Sequence, residues 1–309
     1  MTGTVTTAAR PGGPATSGVV SRLPEYLLIW VPLLLSAAHL VSFSLWTIWI
    51  SFTPSTLIPV SGWVGLRNYT SVLASRNWQI AFDNLLLFGS AFVLLSLMTG
   101  LILAILLDQR IRGENALRSI FLYPLAVSFV VTGTVWSWLL NPGIGIQKLV
   151  QDLGWTSFRF DWLVDRDMAI WTIVIAAIWQ SSGFAMALFL AGLRSVDADL
   201  VKAAQIDGAG PVRMYRRVIL PTLWPITITV IVVQLQFAIS AFDLVRALTN
   251  GGPGIATQLP ALVVYDLMFQ RSQLGRGAAA AVLMLLILLA VLLPYAAWRY
   301  HQRRQATHA

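Results

Sequence analysis

The chain contains no cysteine, so neither a disulfide framework nor a thiolate metal site is available to it. Histidine is almost as scarce, with three in 309 residues and two of those, His301 and His308, in the last nine. An all-histidine metal centre is therefore not expected. Charge is sparse as well: 11% of the residues are charged and 57% are hydrophobic, too little polar surface to cover a water-soluble globule of this length. Motifs that would carry chemistry are missing too. There is no GxxxxGK[ST] phosphate loop, no HExxH pair and no GxSxG elbow, and the GGPG run at 251–254 marks a turn rather than a phosphate cradle. No catalytic residue, no metal ligand and no cofactor are expected on this chain.

What the chain does have is long apolar runs. About 20 apolar residues cross a bilayer, and six stretches are long enough: 26–52, 84–107, 118–140, 168–191, 222–245 and 277–298. The expected fold class is an all-α integral membrane protein, a bundle of six transmembrane helices within residues 23–300. Residues 1–22 are rich in Thr, Gly, Ala and Pro, with Arg10 and Arg22 as their charges, and read as a disordered tail; residues 301–309 read as a second, short tail. The first apolar stretch is longer than a signal core and lacks a small-residue cleavage pattern, so it is expected to remain as an anchor.

An even number of spans puts both ends on one side. Thirteen of the 21 Lys and Arg lie in 1–25, 108–118, 194–217 and 299–309, against eight in the longer segments 53–82, 141–167 and 246–276. The excess places both termini and the 194–217 loop in the cytosol. The net charge of +8 is dispersed between apolar runs, which suits membrane orientation and not nucleic-acid binding. In one outer loop Trp155, Phe158, Phe160 and Trp162 suggest a segment folded against the bilayer surface, whether as an aromatic belt or as a docking surface.

The long cytosolic loop reads SVDADLVKAAQIDGAGPVRMYRRVILP from Ser195 to Pro221. Asp197 or Asp199 can cap a short helix that presents Leu200, Ala203 and Ala204 on one face. Gly208 suits the left-handed turn that ends it, and Pro211 the first turn of a second helix carrying Arg213, Arg216 and Arg217. A small-residue helix at the end of a bundle can enter a groove on a partner. An arginine hairpin resting on lipid phosphates is the other reading, and these residues alone do not separate the two.

This loop resembles the cytosolic signature of binding-protein-dependent ABC importer permeases: Glu-Ala-Ala, three variable residues, Gly, then about nine residues and an apolar-Leu-Pro ending. Ala203, Ala204, Asp207, Gly208, Ala209, Ile219, Leu220 and Pro221 match it, and Lys202 stands where the family usually has Glu. The fragments GLRNY, FLYPLAVSFVVTGTVWSWLLNPGIG and ALTNGGPGIAT, in that order, resemble the carbohydrate-uptake class that includes maltose and glycerol-phosphate permeases. The run from Thr156 to Ala209 is most similar to permeases of glucose or mannose importers. The resemblance implies a permease with a coupling helix at Lys202, Ala203, Ala204, Asp207, Gly208 and Ala209. It further implies a second homologous permease, two cytosolic ATPase subunits that bind ATP and Mg, an extracytoplasmic sugar-binding protein, and residence in the bacterial inner membrane.

Polar groups deep in a span face a water-filled path or another helix. Two clusters meet that description. Thr229, Gln236, Ser240 and Asp243 recur at helical spacing on the fifth span, and Trp179, Gln180, Ser181 and Ser182 lie in the fourth. Amide, hydroxyl and carboxylate groups beside an aromatic ring suit a neutral sugar. Interhelical hydrogen bonding is the competing role, and for Asp243 a local pairing with Arg246. The alternative class is a self-contained secondary transporter, which would show paired midplane carboxylates or broken helices; neither is evident in the sequence.

Overall fold

A computed structural model describes residues 23–109 and 111–307. The expected 1–22 tail lies outside the described residues. Two contact units divide the chain, residues 1–47 and 48–309, and each is taken by itself. Most of the first helix, α1 (Leu23–Ser51), falls in the first unit, and its stretch from Trp30 is apolar enough to cross a membrane. Leu33, Leu40 and Phe43 are all exposed along it, as a helix designed for lipid rather than water would leave them.

In the second unit every described element is helical or a turn: α2 (Arg67–Leu73), α3 (Arg76–Leu107), α4 (Glu114–Leu122), α5 (Phe129–Leu139), α6 (Ile146–Asp152), α7 (Ala169–Arg194), α8 (Ala198–Ile206), α9 (Pro211–Met214), α10 (Leu220–Thr222), α11 (Trp224–Ile239), α12 (Phe242–Leu248), α13 (Pro260–Tyr265) and α14 (Leu274–Thr307). The long helices α3, α7 and α14 are continuous spans, as expected, with α3 beginning eight residues before the 84–107 run and α14 continuing through Thr307 into the segment read as a tail.

The spans expected at 118–140 and 222–245 are not continuous. The first is bent by 98° between α4, with its 3₁₀ extension to Ala126, and α5; the second breaks at Ser240 and Ala241, between α11 and α12, and is set at 67° to the α9–α10 segment that precedes it. Hydropathy measures length and composition and is blind to direction. At the second bend the cause is visible in the sequence: Pro221 and Pro225 offer no N–H to the turns before them. Just ahead, Tyr215–Ile219 widens into a π turn in which the Leu220 N–H reaches the Tyr215 carbonyl, five residues back.

A bend inside hydrocarbon frees backbone groups that must find partners within the protein. At the first bend α7 supplies them. The Gln180 Nε2 donates to the Val127 carbonyl at 2.7 Å. One turn along, Gly183 allows the Phe121 backbone to lie against α7, since a Cβ built there would sit 2.0 Å from the Phe121 oxygen. Side chains make similar clamps elsewhere. Asn84 on α3 donates to the carbonyls of Ala256 and Gln258 at 2.9 and 3.0 Å, fixing the GGPG loop, and Asn68 does the same for Ser51 and Thr53 at 2.9 and 2.8 Å. Around these the apolar core packs α3 on α7 and α11, with Phe88, Ile173, Val174 and Ala238 essentially sealed.

Gly183→Leu is expected to force α4 off α7, at about 1–3 kcal/mol for overpacking. The thermal midpoint of the detergent-purified chain, followed by tryptophan fluorescence, should fall by several degrees, whereas Gly113→Asn, at an exposed left-handed turn with nothing within 4 Å, should leave it close to wild type.

Candidate functional site

Helix α8 begins as a capped helix: the Asp197 carboxylate accepts from the Asp199 N–H at 2.8 Å. It ends as the sequence suggests. Gly208 has φ +73°, the Ala209 N–H returns to the Ala204 carbonyl and the Gly208 N–H to that of Gln205, each at 3.0 Å, which is the Schellman closure. Pro211 then opens α9. No atom lies within 4 Å of where a Gly208 Cβ would be, so the turn projects into open space.

The outward face of α8 differs from the expected one. Leu200 and Ala203 are exposed, Ala204 is half-buried, and Ile206 is 86% exposed. Lys202 also points outward and pairs with Asp199 at 3.1 Å. Arg213, Arg216 and Arg217 are exposed on the following helix. Just before α8 lies an ion cluster for which the sequence offers no signal: Arg194, the last residue of α7, meets Glu114 at 2.5 Å and Asp108 at 3.8 Å, joining α7 to the α3–α4 connection. All three side chains are partly exposed, so the cluster positions more than it stabilises.

The two polar clusters separate on inspection. In the α7 group, Gln180 and Ser181 are buried and committed to structure: Gln180 holds the bend, and the Ser181 hydroxyl donates to the Ala177 carbonyl at 2.7 Å and lies 3.5 Å from that of Ser96. Trp179 and Ser182 face the other way, into a cavity of about 410 Å³ shared with Thr99 and Phe121, and Trp179 stands edge-on to Trp136 at 6.0 Å.

The second group is not a single helical stripe. α11 stops at Ile239, the chain breaks at Ser240 and Ala241, and Asp243 belongs to the first turn of α12, where a carboxylate favours the helix dipole. Thr229 is absorbed by structure, its hydroxyl donating to the Pro225 carbonyl at 2.9 Å and lying 3.1 Å from that of Tyr295. Gln236, Ser240 and Asp243 are exposed. Asp243 does not pair with Arg246, which instead donates to Asn250 and lies 4.8 Å from the centre of the Tyr265 ring. Beside them run aromatic rings that the sequence reading passed over, Phe129, Phe237 and Phe184, with successive centroids 6.3 and 6.2 Å apart. Gln234 was passed over as well. It is sealed inside the bundle with neither amide atom partnered among the described residues, on the opposite side of α11 from Gln236.

The helical bundle with its bent spans and the capped helix at one end are those of a polytopic membrane protein. The chain belongs to the family described as the binding-protein-dependent transport system inner membrane component, whose pattern covers residues 96–306. It is a multi-pass, non-catalytic permease subunit of an ABC importer, in which separate ATPase subunits hydrolyse ATP. Among its relatives, a "Probable ABC transporter permease protein" of Pyrococcus horikoshii is 39% identical across 90% of this chain and 96% of that protein. The xylose/arabinose import permease XacH of Haloferax volcanii is 36% identical over 77% and 75%, and the trehalose/maltose permease MalF of Thermococcus litoralis 31% over 87% and 91%. The fold matches a bacterial ABC transporter for the acidic polysaccharide alginate with a TM-score of 0.74, at 20% identity, over 92% of this chain and 98% of that one. Bent spans, which would otherwise have favoured an ion-coupled carrier, are therefore a feature of this importer chain.

The division of the polar residues is testable. Gln180→Leu should cost about 1–3 kcal/mol by leaving the Val127 carbonyl unpaired, lowering the thermal midpoint and the yield of assembled importer. Gln236→Leu should leave both unchanged and reduce substrate uptake severalfold. Parallel losses of assembly and uptake in Gln236→Leu would make it a packing residue.

Proposed function

We propose that the chain forms half of the translocation pathway of a sugar importer, paired with a second homologous permease and driven by two cytosolic ATPases that bind ATP and Mg. An extracytoplasmic binding protein would deliver the cargo. The observation that carries this reading is α8: a capped helix with an open outward face of Leu200, Ala203 and Ile206, closed by the Gly208 turn and free of the bundle. Such a helix fits a groove on an ATPase, and Lys202, Ala203, Ala204, Asp207, Gly208 and Ala209 constitute the coupling element. Force received there passes through α9 and the π turn to the bend before α11 and, by way of Arg194, to α3 and α4.

Gln236, Ser240 and Asp243, with Trp179 and Ser182, are the pathway groups of this proposal. Exposed amide, hydroxyl and carboxylate groups on a membrane helix are costly against lipid and suit a hydrated path between two permeases. The proposed cargo is a monosaccharide such as glucose or mannose; the names of relatives that carry xylose and arabinose, or trehalose and maltose, support a sugar of this general kind. Gln180, Ser181 and Thr229 serve packing in this reading.

Two experiments test these assignments. Gly208→Val strains a left-handed residue by about 1–2 kcal/mol, and Ala203→Asp sets a charge on the docking face. Both variants should insert normally yet show at least a severalfold loss of sugar-stimulated ATP hydrolysis in the assembled importer; full stimulation in both would remove α8 from coupling. For orientation, single cysteines replacing the exposed Gln205 and Ser157 can be probed with an impermeant thiol reagent, because the chain has no native cysteine. Labelling from outside is expected at 157 and not at 205, and the reverse pattern would invert the topology with both termini outside.

A further inference from the structure

At the end of the bundle opposite α8, a pocket of about 130 Å³ lies where α2, α3 and α14 meet. Arg76, Arg271 and Arg276 line it, with Asp266 as its single carboxylate, so two positive charges are left over. Asp266 is already engaged by the Gln258 Nε2 at 2.9 Å. Arg276 donates to Gln273 at 3.0 Å and to Ser71, while Arg76 and Arg271 are exposed and form no ion pair among the described residues. Gln258, also in the wall, is 4% exposed and its Oε1 has no hydrogen-bond partner. A pocket of this size admits a phosphodiester group.

Arg76 is the first residue of the α3 span and Arg276 the third of α14, so the pocket sits at the depth where two spans enter the bilayer. Along the same two helices an apolar groove of about 370 Å³ is lined by Leu73 and Trp78 at one end and by Ile287 and Ala290 at the other. A second groove of about 390 Å³ shares Phe82, Ile287 and Ala290 with it and continues to Gly89 and Leu235. A basic pocket at the head of two spans, with apolar grooves along the same spans, matches the charged head and apolar tail of one lipid.

We propose that this face binds an anionic phospholipid, with the phosphate among the three arginines, a hydroxylated headgroup supplying the donor that Gln258 Oε1 lacks, and an acyl chain in the grooves between α3 and α14. A guanidinium cluster recognises the phosphate, and hydroxyls in the headgroup favour phosphatidylglycerol over a zwitterionic lipid. The site is separate from the pathway groups and from α8, and its test does not require transport.

The full-length chain in detergent, stripped of lipid and then offered phosphatidylglycerol, phosphatidylcholine or inorganic phosphate, can be followed by native mass spectrometry. One phosphatidylglycerol should be retained at least tenfold more strongly than phosphatidylcholine. Arg76→Gln with Arg271→Gln, which breaks no ion pair found here, should reduce that retention at least fivefold without moving the lipid-free thermal midpoint. Ala290→Phe, which fills the groove and leaves the arginines alone, should reduce it as well. Equal retention of the two lipids overturns the proposal, as does a double arginine variant that holds phosphatidylglycerol like the wild type. Tight binding of inorganic phosphate that phosphatidylglycerol cannot displace would make this a free-anion site and overturns it equally. If the double variant fails to insert, Arg271→Gln alone decides between the same outcomes.

Discussion

The constraint on which the rest of this structure depends is that a backbone bent inside hydrocarbon must find its hydrogen bonds within the protein. The hinge between α4 and α5 exposes the Val127 carbonyl, and a single amide on α7, that of Gln180, meets it at 2.7 Å. That contact pairs a carbonyl freed where the third span turns by 98°. It also fixes the rotation of α7 about its axis. With Gln180 and Ser181 turned inward and Gly183 held against the Phe121 backbone, Trp179 and Ser182 are left on the opposite side, beside the cavity they share with Thr99. The polar face of α7 is thus a consequence of how the bend is satisfied.

A parallel argument applies at the second bend. Two prolines withhold donors, the helix relaxes into a π turn at Tyr215–Ile219, and α11 sets off in a new direction. The hydroxyls of Thr222, Thr227 and Thr229 each donate to a carbonyl four residues earlier, lining the bend with local partners. Bent spans in this chain are therefore built features with identifiable donors and acceptors. They divide the bundle into segments of different direction, and the clamps at Asn84 and Asn68 hold the loops at the other end.

Much of this was legible in the sequence, though unevenly. Six apolar runs, the Gly208 turn and the start of a helix at Pro211 follow from length, left-handed conformational freedom and the ring of proline, all of them local properties. Direction is not local, so the 98° bend left no mark in hydropathy. Helical spacing grouped Thr229, Gln236, Ser240 and Asp243 into one stripe, but it assumed a helix that in fact stops at Ile239. Gln234 and Gln236 are the same residue type two positions apart, one sealed and one open, and only packing decides which is which. The Arg194 cluster joins residues 80 and more positions apart and had no local signature at all.

The open turn at Gly208 has a consequence for how such a chain changes over time. Because nothing packs around it, substitutions on the outer face of α8 leave the bundle undisturbed and are filtered only by whatever docks there. Lys202, in the place where the family pattern has Glu, is a substitution of that kind, with its charge answered inside the same helix by Asp199. Under the coupling role proposed for α8, its outer face is therefore free to change together with its partner while the packing of the bundle stays the same.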